Sequence, residues 1–333
     1  MLGVPVSVRT MAPAGLFNGL PVTYTSANFE SGVVETDGSL AIDVPATIAA
    51  VQRVYCDRQQ IIGRELQFIR ANGIEKIVAD VPYLAGNIAA AAGVPCIGIG
   101  NFTWEWIYQP YLEAVAGTEV LREMMRSGYN KMATFCRLPF HHEEGFEIFR
   151  SLQDVPLVVR QPKKTPEEVL HALGFAEKDS RPKVLVGMRG RLAPGALQTA
   201  AMASPDLLFL YLDDQETVDA PNTRSVQLGH CGITYPDLLR AFDIVVSKYG
   251  YGIVSDCAAN RKPMLVPPRT GFREDEVFHR QASQYIPIAE ISRTNFQSGN
   301  WREHLDILLT AKHPEGHLQT NGATICAELI IKM

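Results

Sequence analysis

No stretch of this 333-residue chain is apolar for long enough to cross a bilayer, so a membrane-spanning helix is not expected. Basic residues never gather into a block. Lys and Arg number 31 against 36 Asp and Glu, a net charge of −5, which argues against a general nucleic-acid binder. The N-terminus lacks the basic-then-apolar pattern of a secretory leader. The six cysteines (Cys56, Cys96, Cys136, Cys231, Cys257 and Cys326) are scattered and form no C-x-x-C. That fits reduced thiols in a cytoplasm better than a disulfide framework or a zinc site. Eight histidines include no H-E-x-x-H. The adjacent pair His141-His142 would point apart on a regular element, so no metal centre is expected. Low-complexity segments and internal repeats are missing too, which excludes a solenoid.

What remains is an ordinary globular composition, 46% apolar and 20% charged, on a chain long enough for two α/β domains. Val4, Val6 and Val8 alternate as in a strand. Residues 11–45 are irregular, with short strand candidates at 22–24 and 32–34. A long amphipathic helix is predicted over 45–72, with Gly73 as its stop. Strand 76–79, small-residue helix 85–92 and strand 94–100 follow. Residues 109–135 read as helical, 143–152 as a short helix or an irregular segment, and 154–162 as an extended connection. Thr165-Pro166-Glu167-Glu168 starts a helix by cap-then-proline logic. Beyond it, strands at 183–186, 207–212, 225–228, 243–247, 263–267 and 288–290 alternate with helices. This is the βαβ rhythm of parallel sheets.

The stretch from Ala241 to Pro268 organises the second half. A β-branched strand runs into Lys248-Tyr249-Gly250-Tyr251-Gly252 and then a short helix from Ile253. Free N–H groups and the dipole at a helix start favour an anion such as a diphosphate, and Lys248 and Tyr249 add a charge and a hydroxyl. An αβ turn that simply needs glycines explains the same pattern. A second glycine-rich loop, Gly187-Met188-Arg189-Gly190-Arg191, also leads from a strand toward a helix and carries two arginines. In the first half, Asp80 ends a strand, where open α/β sheets bind ligands. It reads either as a turn cap or as a carboxylate able to take a proton or hold a sugar hydroxyl. Asn101, Thr103 and Glu105 follow the next strand. Phe102, Trp104, Trp106 and Tyr108 read as a ligand-stacking set or as helix-face packing.

Several segments together resemble one family. Asp80-Val81-Pro82, then Gly93 through Tyr108 (GVPCIGIGNFTWEWIY), are similar to the glycosyltransferase-like N-terminal domain of plant L-arabinokinases and its stand-alone bacterial relatives. So are Asp154 to Arg160, Tyr235 to Leu239, Ser247 to Asp256, and Asn321-Gly322. More distantly, Gly-x-Gly-x-x-Ser-Asp resembles the donor-site helix of GT-B glycosyltransferases. The resemblance implies an α/β GT-B fold of two Rossmann-like domains facing across a cleft. Its implied layout is an acceptor-side domain over 1–155, a connection over 156–180, a nucleotide-sugar domain over 181–318 and a closing helix over 319–333 that crosses back. Gly250, Tyr251 and Gly252 would approach the diphosphate, with Ser255 and Asp256 in the helix behind. The usual residue at the position of Asp256 is Glu. Glu274, Asp275 and Glu276 would read donor hydroxyls, and Gly187 and Gly190 would lie opposite the diphosphate. Relatives begin with a strand and a Gly-His-rich loop that has no counterpart here, so the first domain is expected to lack its first, central strand.

The expected activity is metal-independent transfer of a hexose from a nucleoside diphosphate sugar to an unknown acceptor, with no cofactor. Lys248 and Arg189 or Arg191 would neutralise the leaving group, and Asp80 or Glu105 would serve as base. The rival expectation is a non-catalytic sugar or nucleotide-sugar binding module linked to a sugar kinase. A third is an epimerase or hydrolase of the same fold.

Overall fold

In a computed structural model, which describes residues 3–36, 40–175, 179–188, 192–212, 218–226 and 232–333, the chain divides into two units. The first comprises Met1–Val34, Ile42–Val155 and Thr324–Met333; the second comprises Glu35–Ala41 and Pro156–Ala323.

Unit 1 begins with β1 (Val6–Thr10) and β2 (Val22–Ser26), paired in parallel with Val8 opposite Tyr24. Helix α1 (Val44–Asn72) follows. The Asp43 carboxylate accepts from the Ala46 N–H at 2.9 Å, and Gly73 closes the helix at φ 59°. A four-stranded parallel sheet has the order β3 (Ile77–Asp80), β4 (Cys96–Gly100), β5 (Thr134–Arg137), β6 (Leu152–Asp154). Between its strands lie α2 (Leu84–Ala92), α3 (Trp104–Glu113) and α4 (Glu119–Tyr129). Among the described residues no strand joins β1–β2 to β3–β6. Val6 and Val78, on β1 and β3, are 45% and 48% exposed, which leaves apolar strand surface uncovered.

Strand β5 corrects the sequence reading, which ran a helix to residue 135. Helix α4 stops at Tyr129, whose hydroxyl donates to the Val81 carbonyl and accepts the Trp104 N–H. Beyond it, Phe135 and Cys136 are fully buried between β4 and β6. Tertiary pairing overrides an apolar spacing that also fits a helix. Likewise β6 stands where the short-helix reading ended, and α10 (below) fills a stretch to which the sequence assigned no element.

Helices α2 and α4 touch through glycine. A Cβ on Gly86 would stand 2.0 Å from the Gly128 carbonyl oxygen, and one on Gly128 would stand 2.0 Å from that of Tyr83. Backbone lies against backbone, so no side chain there can yield.

Unit 2 is a six-stranded parallel sheet. Its chain order is α5 (Pro166–Ala172), β7 (Lys183–Val186), α6 (Ala196–Met202), β8 (Leu208–Leu212), β9 (Thr223–Val226), α7 (Tyr235–Ala241), β10 (Ile244–Val246), α8 (Tyr251–Ala259), β11 (Met264–Val266), α9 (Glu274–Ala282), β12 (Ile288–Glu290), α10 (Arg293–Ser298), α11 (Arg302–Thr310) and α12 (Gly322–Lys332). Strands β10 and β11, and β7 from Val184 on, are unbroken apolar runs because both their faces are covered. Val184, Phe209, Val246, Leu265, Phe296 and Trp301 share one core. Leu40 joins that core from the 35–41 segment, which also bridges Ala41 to Thr270. From Thr324 onward α12 belongs to unit 1, where the Lys76 ammonium caps its last turn by donating to the Ile330 carbonyl at 2.9 Å. No helix of the described residues is long and apolar enough to cross a membrane.

Replacing Gly128 with Ala is expected to lower stability in urea denaturation by about 1–3 kcal/mol, the usual penalty of overpacking. Gly63→Ala, on exposed α1 with nothing within 4 Å of its new methyl group, should be neutral or slightly stabilising.

Candidate functional site

The strand order of unit 2 is β12-β11-β10-β7-β8-β9. The chain builds outward from β7 through β8 to β9, then returns to the other side of β7 with β10. The order therefore reverses between β7 and β10, which pair with Val246 opposite Val186. Loops leaving the carboxyl ends of such neighbours diverge and open a crevice, the common ligand site of this architecture. The two loops concerned are 187–191 and 247–250, the two glycine-rich loops singled out in the sequence.

Gly187 donates its N–H to the Val246 carbonyl at 2.8 Å. A Cβ there would lie 3.1 Å from the Tyr235 hydroxyl, so close internal packing accounts for this glycine. Met188 is buried, and its sulfur accepts the Lys248 N–H at 3.0 Å, tying the loops together. Arg189, Gly190 and Arg191 lie outside the described residues.

Helix α8 begins at Tyr251, two residues earlier than expected, with Gly250 as its N-cap. Gly250 has φ 173°, extended backbone that any residue adopts. A Cβ on Gly250 would meet only Ile253, at 4.0 Å, and one on Gly252 would meet nothing within 4 Å. Neither glycine is demanded by the turn or by packing. Their effect is to leave room in front of the first-turn N–H groups of a nine-residue helix.

The neighbouring side chains are already engaged. The Lys248 ammonium donates to Glu35 Oε1 at 2.8 Å, an ion pair supplied by the 35–41 segment. The Tyr249 hydroxyl is buried, donates to Glu290 Oε1 at 3.0 Å and lies 3.2 Å from His279 Nδ1. Burial and the Glu290 charge push its pKa up, so it stays a phenol. Tyr251 caps the site's edge as the first helical residue. Ser255 is fully buried, with no partner for its hydroxyl. Asp256 is buried and accepts from Arg160, at 2.6 Å from the guanidinium and 3.3 Å from the backbone N–H. Arg160 also lies 5.6 Å from the centre of the Tyr235 ring. Segments 154–160, 235–239 and 247–256, distant in sequence, thus meet at one guanidinium. The role expected for Asp256 near a donor is replaced by a packing role.

Glu274 and Asp275 are likewise held inside. Arg269, 8% exposed, reaches Asp275 Oδ1 at 2.5 Å and Glu274 Oε2 at 3.7 Å. They brace the loop after β11, and only Glu276 of this trio is exposed to solvent. In unit 1, Glu105 is also withdrawn from the chemistry expected of it. Its Oε1 accepts from Arg122 at 2.5 Å and from Arg126 at 3.2 Å, so its lone pairs are already engaged. The aromatic set resolves into packing: Trp104 stacks on Tyr108, and Trp106 on His142. His141 Nδ1 pairs with the Leu138 carbonyl, and no metal-holding cluster occurs among the described residues.

Asp80 keeps its place at the end of β3. Although exposed as a residue, its carboxyl is desolvated by the surrounding protein, which pushes its pKa up. Val81, next to it, has φ 72°, a strained conformation for a β-branched residue. The sequence reading missed Glu30 altogether. Burial, opposed by the Trp104 indole and reinforced by the Asp80 charge, raises this carboxyl to about 8. The Trp104 indole steadies the ionised form. Glu30 sits in an irregular stretch without periodicity, so no local signal marks it.

A Rossmann-like unit with this strand reversal, beside a second unit of parallel sheet, defines the α/β fold of the GT-B glycosyltransferases. The solved structures agree. The chain superimposes on Arabidopsis thaliana UGT89C1 with a TM-score of 0.61 at 12% identity, covering 99% of this chain and 91% of that one. The spinosyn forosaminyltransferase SpnP gives 0.60 at 13% identity, with 98% and 86% covered. UGT89C1 complexed with UDP-L-rhamnose gives 0.58 at 14% identity, with 92% and 83% covered. In sequence, the L-arabinokinase of Arabidopsis thaliana is 27% identical over 304 residues, 90% of this chain. The chain spans 28% of that relative's length. No family model matches.

Glu30 ionises near 4.5 when unfolded and near 8 when folded. The unfolded chain therefore releases its proton first, and the contribution present below pH 4.5 is lost as pH rises to 8. The urea midpoint should fall across this window, by at most ~1.4 kcal/mol per pH unit. Glu30→Gln should flatten that slope.

Proposed function

We propose that the protein transfers a hexose from a nucleoside diphosphate sugar to an acceptor. The observation that carries this reading is the unfilled space at Gly250 and Gly252, before the N-terminus of α8, at the strand-order reversal of a GT-B unit. The donor diphosphate would lie against the first-turn amides of α8. Those amides meet growing negative charge on the diphosphate as the glycosidic bond to it breaks, without reorganising. Lys248 would exchange Glu35 for a phosphate oxygen, and Arg189 or Arg191 would add a second charge. Amides and cations then balance the leaving group without a divalent ion. Glu276 is the member of the acidic trio available for a donor hydroxyl. Asp80, its pKa raised, is the better candidate of the original pair for the general base.

A second reading is favoured by one fact: the matching relative is an L-arabinokinase, of which this chain spans little more than a quarter. On that reading the chain is a sugar or nucleotide-sugar binding module that serves sugar kinase metabolism without turnover. The two differ in whether sugar leaves the nucleotide when an acceptor is supplied.

Thermal shift against UDP, GDP, dTDP, ADP and their common sugars is expected to give a clear responder. At a hundredfold excess over Kd the gain is about 2.7 kcal/mol. Gly252→Val, which fills the space before α8, should abolish the shift with the free-protein Tm unchanged. A shift that survives this substitution places the nucleotide elsewhere and refutes the assignment. Glu35→Gln frees Lys248 and should tighten binding of the responding nucleotide about three- to tenfold at low salt. Unchanged affinity would show that Lys248 does not reach the phosphates.

A further inference from the structure

Two cysteines far apart in the sequence meet in unit 1. Cys136 lies on β5 and Cys326 on α12, and the Cys136 S–H donates to the Cys326 sulfur. Both are free thiols and both are buried, Cys136 completely. Each is held by its own element. Cys136 sits in the sheet opposite Ile99 on one side and Gln153 on the other. Along α12, Gly322, Ile325, Cys326 and Leu329 recur at the spacing of one helix face, and they are the covered positions, while Thr324, Glu328 and Lys332 are exposed. The helix is fastened on either side of Cys326. The Gly322 N–H donates to the Leu157 carbonyl at 3.1 Å, and Lys76 donates to the Ile330 carbonyl.

The two thiols are not equivalent. Cys326 accepts from the Cys136 S–H and from its own backbone N–H, which steady its thiolate and pull its pKa below the usual thiol value. Cys136, the donor, is pushed up by the same hydrogen bond and by burial. Cys96 and Cys257 differ from Cys326 in direction: burial raises both, Cys96 to about 12. In thiol–disulfide exchange the thiolate is the attacking species, and a low-pKa thiol is also the better leaving group on reduction. Contact between an attacking sulfur and a second thiol supplies both halves of a reversible exchange.

We propose that Cys136 and Cys326 are an oxidative modification site: they form a reversible disulfide that locks α12 onto the sheet of unit 1, with a small-molecule disulfide as oxidant. The Cys326 thiolate attacks one sulfur of that disulfide and expels the other as a thiolate. Cys136 then loses its proton and attacks the mixed disulfide at the Cys326 sulfur, expelling the second thiolate. Two electrons pass from the protein pair to the small disulfide, and the two protons of the protein thiols end on its two sulfurs. Because α12 is a surface helix, local opening is enough to admit the oxidant. The site is independent of the nucleotide reading of unit 2.

The test incubates the full chain with oxidised glutathione under native conditions and counts thiols after denaturation. Two of the six thiols should be lost. The mass should fall by two hydrogens, with no glutathione retained, and peptide mapping should join the β5 peptide to the α12 peptide. Tm should rise by roughly 5–10 °C, because a bond between such distant residues strongly restricts the unfolded chain. Amide exchange of α12 should slow about tenfold or more, and dithiothreitol should reverse both changes. Cys136→Ala should trap a glutathione adduct at Cys326, the signature of an attacking sulfur that has lost its resolving partner. Cys326→Ala, on the surface helix, should abolish cross-link, adduct and Tm rise together, and it decides the matter if Cys136→Ala does not fold. The proposal is overturned if all six thiols survive, if the bond joins other cysteines, or if it forms only at urea concentrations that unfold the chain. It is also overturned if α12 exchanges as fast in the cross-linked chain as in the reduced one.

Discussion

The parallel pairing of β10 with β7 is the constraint on which unit 2 depends. Three short strands, β10, β11 and β7 from Val184 on, are apolar and buried on both faces. Only a sheet interior accepts such runs. Once β10 joins the free side of β7, the strand order has to reverse there. Two loops then leave the same sheet edge in opposite directions. Everything proposed for a ligand in this unit rests on that reversal and on the open start of α8 beside it. The helix contributes no unusual side chain to the site. It contributes amides that have no partner in their own helix, at a point where the fold keeps other backbone away.

Charge is distributed with the same economy. Most acidic residues nominated from sequence turn out to be structural partners of arginine: Glu105 with Arg122 and Arg126, Asp256 with Arg160, Asp275 and Glu274 with Arg269. Buried carboxylates need such partners, since an uncompensated charge in the interior is strongly unfavourable. The pairs also position. Arg160 fastens the interdomain connection to α8, and Asp237 does the same for α7 by accepting the Lys163 and Lys164 N–H groups at 2.5 and 2.9 Å. Two acids, Asp80 and Glu30, are left with raised pKa values and no arginine. Burial is the main cause of the rise in both.

Local pattern carried most of the elements. The 183–186 and 288–290 strands were readable to the residue, because β-branched runs bounded by turns have few alternatives. Helix α5 was readable because Thr165 and Glu168 form a capping box that is complete within four residues. Strand β5 was not. Thr134–Arg137 is four residues long, and only its neighbours β4 and β6 make it a strand. The 35–41 segment was not legible either. It lies inside the first half in sequence, yet Leu40 is a core residue of unit 2. Of the site, glycine placement was visible, but the partners of Lys248 and Asp256 were not. Glu35 and Arg160 stand 213 and 96 residues away from them. Glu30 had no chance of detection, since its environment is made by residues of α2 and α3 rather than by its own segment.

Glycine is what separates architecture from ligand. At Gly86, Gly98, Gly128 and Gly187 an added Cβ would meet this chain's own atoms, the Phe135 ring at 2.3 Å in the case of Gly98. These positions are explained without any partner. At Gly250 and Gly252 nothing in the described chain comes close, and neither residue has the left-handed backbone that would favour glycine. Inside a helix, glycine at 252 is also the unfavourable choice, by roughly 1 kcal/mol relative to alanine. On the proposed reading, a residue that weakens its own helix and fits no internal contact leaves room for a ligand to approach the backbone closely, and a helix N-terminus at that point favours an anion.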